Sequence, residues 1–176
     1  MSGNRGERTT GLALFYLFAL SFTALDQLSK FWILSTLAPE ESYPLVPGIF
    51  HLTLIENRGI AFGLLGHLKE VLFLAITVSI ALLGVWGRRV WIASAKQRGL
   101  RRFFQWECLA VAMIFGGALG NWIDRVRVGA VIDFLDFRIW PVFNVADSAI
   151  TAGVVLYFIS YLRQGQDAKK TEDKAL

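Results

Sequence analysis

The chain has 176 residues, 55% of them hydrophobic and 18% charged, with a mean hydropathy of +0.49 and a formal net charge of +4. A soluble domain of that size could not hide so much apolar surface, so the composition points to a single integral membrane domain over residues 1–176. The lone Cys108 excludes an internal disulfide, and with only His51 and His67 beside it there is no Cys/His zinc set; no metal or other cofactor is expected, and no basic module for nucleic acid is visible.

The first apolar stretch lies near residues 11–37, after Arg5 and Arg8. It lacks an Ala-x-Ala cleavage pattern and is read as a retained helix, not a removed signal peptide. A segment near 38–67 follows, punctuated by Pro39, Pro44 and Pro47. Pro47-Gly48 suits a turn. Leu52 and Leu54 alternate with His51 and Thr53, which predicts a short half-buried strand in a small surface sheet. Further apolar stretches lie near 68–87, 103–123 and 145–162. The connection GRRVWIASAKQRGLRRFF is rich in arginine and has no acid, and the polar tail 163–176, expected to be disordered, holds Arg163, Lys169, Lys170 and Lys174. By the positive-inside rule both face the cytoplasm, together with the amino terminus. The segments near 38–67 and 124–144 then face outward. The expected fold is an all-α integral membrane protein with four transmembrane helices and a small β-containing outer segment.

That topology brings polar residues to one depth, near the outer face: Asp26, Asn57, Arg58, Asn121, Asp124, Arg125, Asp133, Asn144 and Asp147. Ionisable groups at membrane depth mark a candidate functional site. Plainer roles compete with that one. Asp26 and Lys30 are one helical turn apart and suit a structural pair. Asn121 and Arg125 share a face, where Arg125 either binds an acid or anchors at headgroups. Asp124 points elsewhere and is expected to be solvated, and Asp136 and Arg138 are expected to be surface charges. Gly116 and Gly120 suit close helix packing. Alone, Asp147 is a first-turn or cap acid and Asp133 a loop acid. Only together do they draw attention, as two acids at one depth that chemistry could use. A proton-coupled carrier or channel using the same polar residues is the alternative. Against it stand the lack of an internal repeat and a polar cluster away from the midplane.

DQLSK at 26–30, NRGIAF at 57–62, GALGNWIDR at 117–125, VIDF at 131–134 and FNVAD at 143–147 resemble, in that order, the signature blocks of the bacterial lipoprotein signal peptidases, also called signal peptidase II. The resemblance implies an intramembrane aspartic endopeptidase, multi-pass in the bacterial cytoplasmic (inner) membrane, with both termini cytoplasmic and its active site near the outer face. It would remove the signal peptide from diacylglyceryl-modified prolipoproteins, cutting just before the lipidated cysteine. Asp133 and Asp147 would be catalytic, Asn57, Asn121, Arg125 and Asn144 would line the substrate site or hold the acids, and Asp26, the partner expected for Lys30, would be structural. Gly59 joins the substrate set because NRGIAF is placed to close over the peptide and glycine adopts backbone shapes barred to other residues. Lipid-modified prolipoproteins, membrane lipid and globomycin-type inhibitors are the implied partners, with no cofactor and no nucleic acid.

Overall fold

The computed structural model describes residues 3–58, 69–98 and 106–173, with side chains for 12–58, 73–89 and 106–163. Among the described residues four helices and three strands follow in chain order: α1 (Gly3–Thr36), β1 (Ser42–Val46), β2 (Phe50–Asn57), α2 (Lys69–Arg98), α3 (Trp106–Arg127), β3 (Val131–Asp136) and α4 (Val145–Asp173). The helices outrun the apolar stretches. α2 continues through the basic connection to Arg98, and α4 carries the polar tail as helix to Asp173. Disorder was the expectation for that tail. Its Gln, Ala, Lys and Glu residues are good helix formers with no proline among them, and they prolong a helix already nucleated upstream.

Among the described residues, Leu12–Thr36, Trp106–Arg127 and Val145–Arg163 are long and apolar enough to cross a membrane. α2 is 30 residues long and carries no ionisable residue from Val71 to Gly87. Leu17, Leu20, Leu28 and Phe31 are all more than half exposed on α1. Apolar side chains so displayed suit a lipid solvent, not water.

α3 is the central helix. Small residues on its two sides let α1 and α4 approach closely. Gly116 meets the Ala19 carbonyl of α1, and Thr23 Oγ1 donates to Gly116 O at 2.8 Å. Gly117 faces the Ala146 carbonyl and Ile150 of α4. A Cβ on Gly120 would stand 2.5 Å from Asp26 Oδ2, so this glycine makes room for the Asp26 carboxylate. Both glycines of the GxxxG pair therefore pack, as expected. α2 is tied on by Trp122 of α3, whose Nε1 donates to Thr77 Oγ1 at 3.0 Å and whose ring stacks on Phe73.

The strands form an antiparallel sheet in the order β1-β2-β3. Pro47-Gly48 closes the β1–β2 hairpin as expected: Ile49 N donates to Val46 O at 3.0 Å and Gly48 has φ 75°, which suits glycine at the third position of a type II turn. β3 is the element that periodicity missed. Its sequence VIDFLD is buried along nearly its whole length, and a short strand covered on both faces shows no alternation. Ile132 and Phe134 join Ile33 and Leu54 in a small core between the sheet and α1. Alternation along the strand turns Asp133 to the other face.

Candidate active site

The amino terminus of α4 organises the polar centre. Asn144 is fully buried and caps that helix: its Oδ1 accepts from Asp147 N at 2.8 Å, the bond expected of an asparagine N-cap. Asp26 Oδ1 accepts from Ala146 N at 2.9 Å. Two first-turn N–H groups of α4 are thereby satisfied within the protein. Because the Asn144 oxygen is committed to the cap, its Nδ2 must face the other way. There it donates to Asp133 Oδ1 at 2.7 Å, with Asn121 Oδ1 at 3.1 Å and Ile132 O at 3.2 Å close by. The cap of one helix thus orients an acid on a strand.

Asn121 is oriented by the same logic. Lys30 Nζ, which can only donate, reaches Asn121 Oδ1 at 3.0 Å. The Asn121 amide nitrogen must then point away, and it donates to Asp147 Oδ1 at 2.7 Å. Asp133 and Asp147 therefore each accept from a buried asparagine whose orientation is dictated by a third group. Asn57 Nδ2 donates to the second oxygen of Asp133 at 2.8 Å. Burial pushes the Asp133 carboxyl up to about 6; the Asn57 hydrogen bond opposes this, the Asp147 charge adds to it, and Asn144 and Lys30 also oppose it. A carboxyl that titrates there can change protonation near neutral pH. Arg125 is half-buried beside the acids, with one guanidinium N–H on Asn121 O at 3.1 Å and its charge acting on Asp147, Asp124 and Asp133.

Asp26 and Lys30 form the expected pair, at 2.8 Å, but a third member was missed. Asp124, expected to be solvated, is 3% exposed and lies 2.6 Å from Lys30 Nζ. Its carboxylate also accepts from Gln27 Nε2 at 2.9 Å and Ile132 N at 3.1 Å. Three acceptors thus saturate the three N–H groups of the Lys30 ammonium. The signal available in the sequence was the three-residue step from Asn121 to Asp124, which keeps both near one side of α3. Asp136 is a second correction. Not a surface charge, it is 5% exposed and paired with Arg138 at 2.9 Å. Gly59, with most of NRGIAF, and His67 lie outside the described residues.

Asp147 borders two clefts. One, of about 600 Å³, is walled by Phe137, Ile139, Trp140, Phe143 and the Ser148–Ala152 face of α4. The other, of about 500 Å³, runs between α2 and α3 past Ile76, Ile80, Ala118, Asn121 and Arg125. Asp133 is 2% exposed. A mostly apolar cleft converging on a few polar groups is the usual form of a small-molecule or substrate site.

The family described as Signal peptidase (SPase) II matches residues 18–163. A lipoprotein signal peptidase of Moorella thermoacetica is 46% identical over 142 residues, which cover 81% of this chain and 88% of the relative. One from Halothermothrix orenii is 42% identical, covering 85% of this chain and 94% of its own. A solved bacterial membrane enzyme superposes with a TM-score of 0.70 at 31% identity, covering 88% of this chain and 91% of that one.

Proposed function

The chain belongs to the signal peptidase II family, and on that premise we propose that it removes signal peptides from diacylglyceryl-modified prolipoproteins as an aspartic endopeptidase, cutting just before the lipidated cysteine. The observation that carries the mechanism is the asparagine pair. Asn121 and Asn144 hold one carboxylate each, Asp147 and Asp133, and are joined to each other by a hydrogen bond of 3.1 Å. Asp147 borders the clefts through which water and substrate enter, so it acts as general base on the attacking water. Asp133, with its raised pKa, holds the proton that passes to the scissile carbonyl oxygen. Attack gives a tetrahedral diol. Its collapse transfers a proton to the leaving amide nitrogen and regenerates the pair. Arg125 supplies positive charge beside two acids and a developing oxyanion.

In this reading α2 is the fourth membrane span, both termini are cytoplasmic, and the sheet lies at the outer face of the bacterial inner membrane. The acyl chains of the substrate stay beside the helices in lipid, and globomycin-type inhibitors compete for the clefts at Asp147. The deciding experiment is incubation of the purified protein, in detergent or lipid, with a diacylglyceryl-modified precursor. Release of the signal peptide, with the lipidated cysteine as the new amino terminus, is expected. Intact precursor under several detergents, together with proton-coupled flux in vesicles, would select a carrier instead.

Asn57 provides a test through pH. Its amide donates to the Asp133 carboxylate, which favours the ionised form. Removing that donor favours the neutral form, so the pKa of the coupled pair rises. Asn57→Ala is therefore expected to move the alkaline limb of kcat/KM to higher pH, while leaving the protein folded. The limb belongs to the pair and not to one acid. A limb that stays in place, or moves to lower pH, would show that Asn57 does not act on the acids.

A further inference from the structure

We propose that Asp136 is a positioning residue: it holds the Phe137–Phe143 loop as the aromatic wall of the cleft at Asp147, and so sets the affinity for the apolar part of the substrate. This rests on the peptidase reading of that site.

The loop needs such a tie. Ile139 is 93% exposed and Trp140 70% exposed, so neither is packed in place by the protein. Arg138 has φ 63°, an unfavourable backbone region for a residue with a side chain. Within the turn itself the short backbone bond is Ile139 N to Phe137 O, at 2.7 Å. The carboxylate of Asp136 spans this weak point. Its Oδ1 accepts from Arg138 N at 2.8 Å, and its Oδ2 accepts from Arg138 NH1 at 2.9 Å and from Thr53 Oγ1 at 2.7 Å. The turn is thereby pinned to β2. Phe137, the next residue, lies against Phe50 with ring centroids 4.7 Å apart and stacks on Phe143 at 5.9 Å. Phe143 in turn is laced to Phe134 and Leu135 of β3.

The anchor reaches further into the sheet by proton bookkeeping. Ser42 Oγ lies 2.8 Å from Thr53 Oγ1 and 3.1 Å from His51 Nδ1. The Thr53 hydroxyl proton is used on Asp136. The Ser42 proton must then go to Thr53 Oγ1, and His51 must carry its proton on Nδ1 and donate to Ser42. Every donor in the row His51, Ser42, Thr53 points toward Asp136. His51 Nε2, on the far side of the ring, is the one buried side-chain N or O atom without a partner among the described residues. A row of aligned bonds ending on a buried carboxylate is stiffer than its separate members. The hydrogen bonds and ion pair of His51, Ser42, Thr53, Asp136 and Arg138 run among themselves and not to Asp133 or Asp147, so the effect on the reaction is through the wall.

The test separates KM from kcat on the diacylglyceryl-modified precursor, with amide hydrogen exchange of residues 137–143 read on the same proteins. Asp136→Ala is expected to raise KM about tenfold with kcat within about twofold, and to speed exchange across the loop. Arg138→Val should raise KM more than Arg138→Gly does, because glycine accepts the left-handed backbone and valine does not. This second pair decides the matter should Asp136→Ala fail to fold. An unchanged KM in Asp136→Ala, a fall in kcat alone, or equal KM values for the two Arg138 variants would overturn the proposal. If the parent protein cleaves nothing, the peptidase reading fails by itself, and loop exchange still judges the tie: unchanged exchange in Asp136→Ala refutes it.

Discussion

Asp133→Asn and Asp147→Asn are each expected to insert, fold and retain inhibitor binding while losing turnover by at least about 10³-fold. Asparagine keeps the shape of aspartate and its oxygen can still accept a hydrogen bond, so the amide placed at position 147 would keep the bond from Asn121. Asparagine at position 133 must turn an N–H toward Asn57 or Asn144, both of which are donors. The local mismatch costs about 1–3 kcal/mol, which is tolerable for a folded membrane domain. What neither variant can do is exchange a proton in the working range. The double variant is expected to be scarcely slower than either single one, because groups acting as a unit are not additive. The assay is release of signal peptide from a lipidated precursor, with folding checked by gel filtration. Parental turnover in either variant would end the aspartic mechanism.

What the sequence made legible is local. The Pro47-Gly48 turn, the Asp26–Lys30 step and the small-residue face of α3 each follow from residues within a few positions of one another. The order of the signature blocks singled out Asp133 and Asp147, and the fold brings both to the same pair of asparagines. The missed features are non-local. Whether VIDFLD is loop or strand is settled by pairing with β2, which no short window contains. Asp136 reads as a surface charge until Thr53, 83 positions away, is placed over it. Asp124 reads as solvated until α1 brings Lys30 to it. The reach of α4 to Asp173 has a different cause: a polar tail without proline continues a helix that is already formed.

Lys30→Met is expected to be the most destabilising single change in the chain. The ammonium is 3% exposed and lies 2.8 Å from Asp26 and 2.6 Å from Asp124. Removing it leaves two buried carboxylates without their common cation, and breaking one buried pair already costs about 3–5 kcal/mol. The damage spreads because of where those acids sit. Asp26 caps Ala146 at the start of α4, and Asp124 holds Ile132 N at the edge of β3. Both catalytic candidates are carried by those two elements. Folded yield and melting temperature should fall sharply, with turnover lost in proportion. A repair separates charge from shape. In Lys30→Met with Asp26→Asn and Asp124→Asn, each asparagine oxygen can still accept its backbone N–H, and no charge remains to be paired. Replacing a whole buried ionic cluster by neutral groups is often close to neutral in stability. The triple variant is therefore expected to regain most of the melting temperature and of the turnover, since Asn144 still donates to Asn121 and holds its amide toward Asp147. A Lys30→Met protein as stable as the parent would remove the cluster from the framework. A triple variant that refolds yet stays inactive would move Lys30 from the framework to the chemistry, acting on Asp147 through the Asn121 amide.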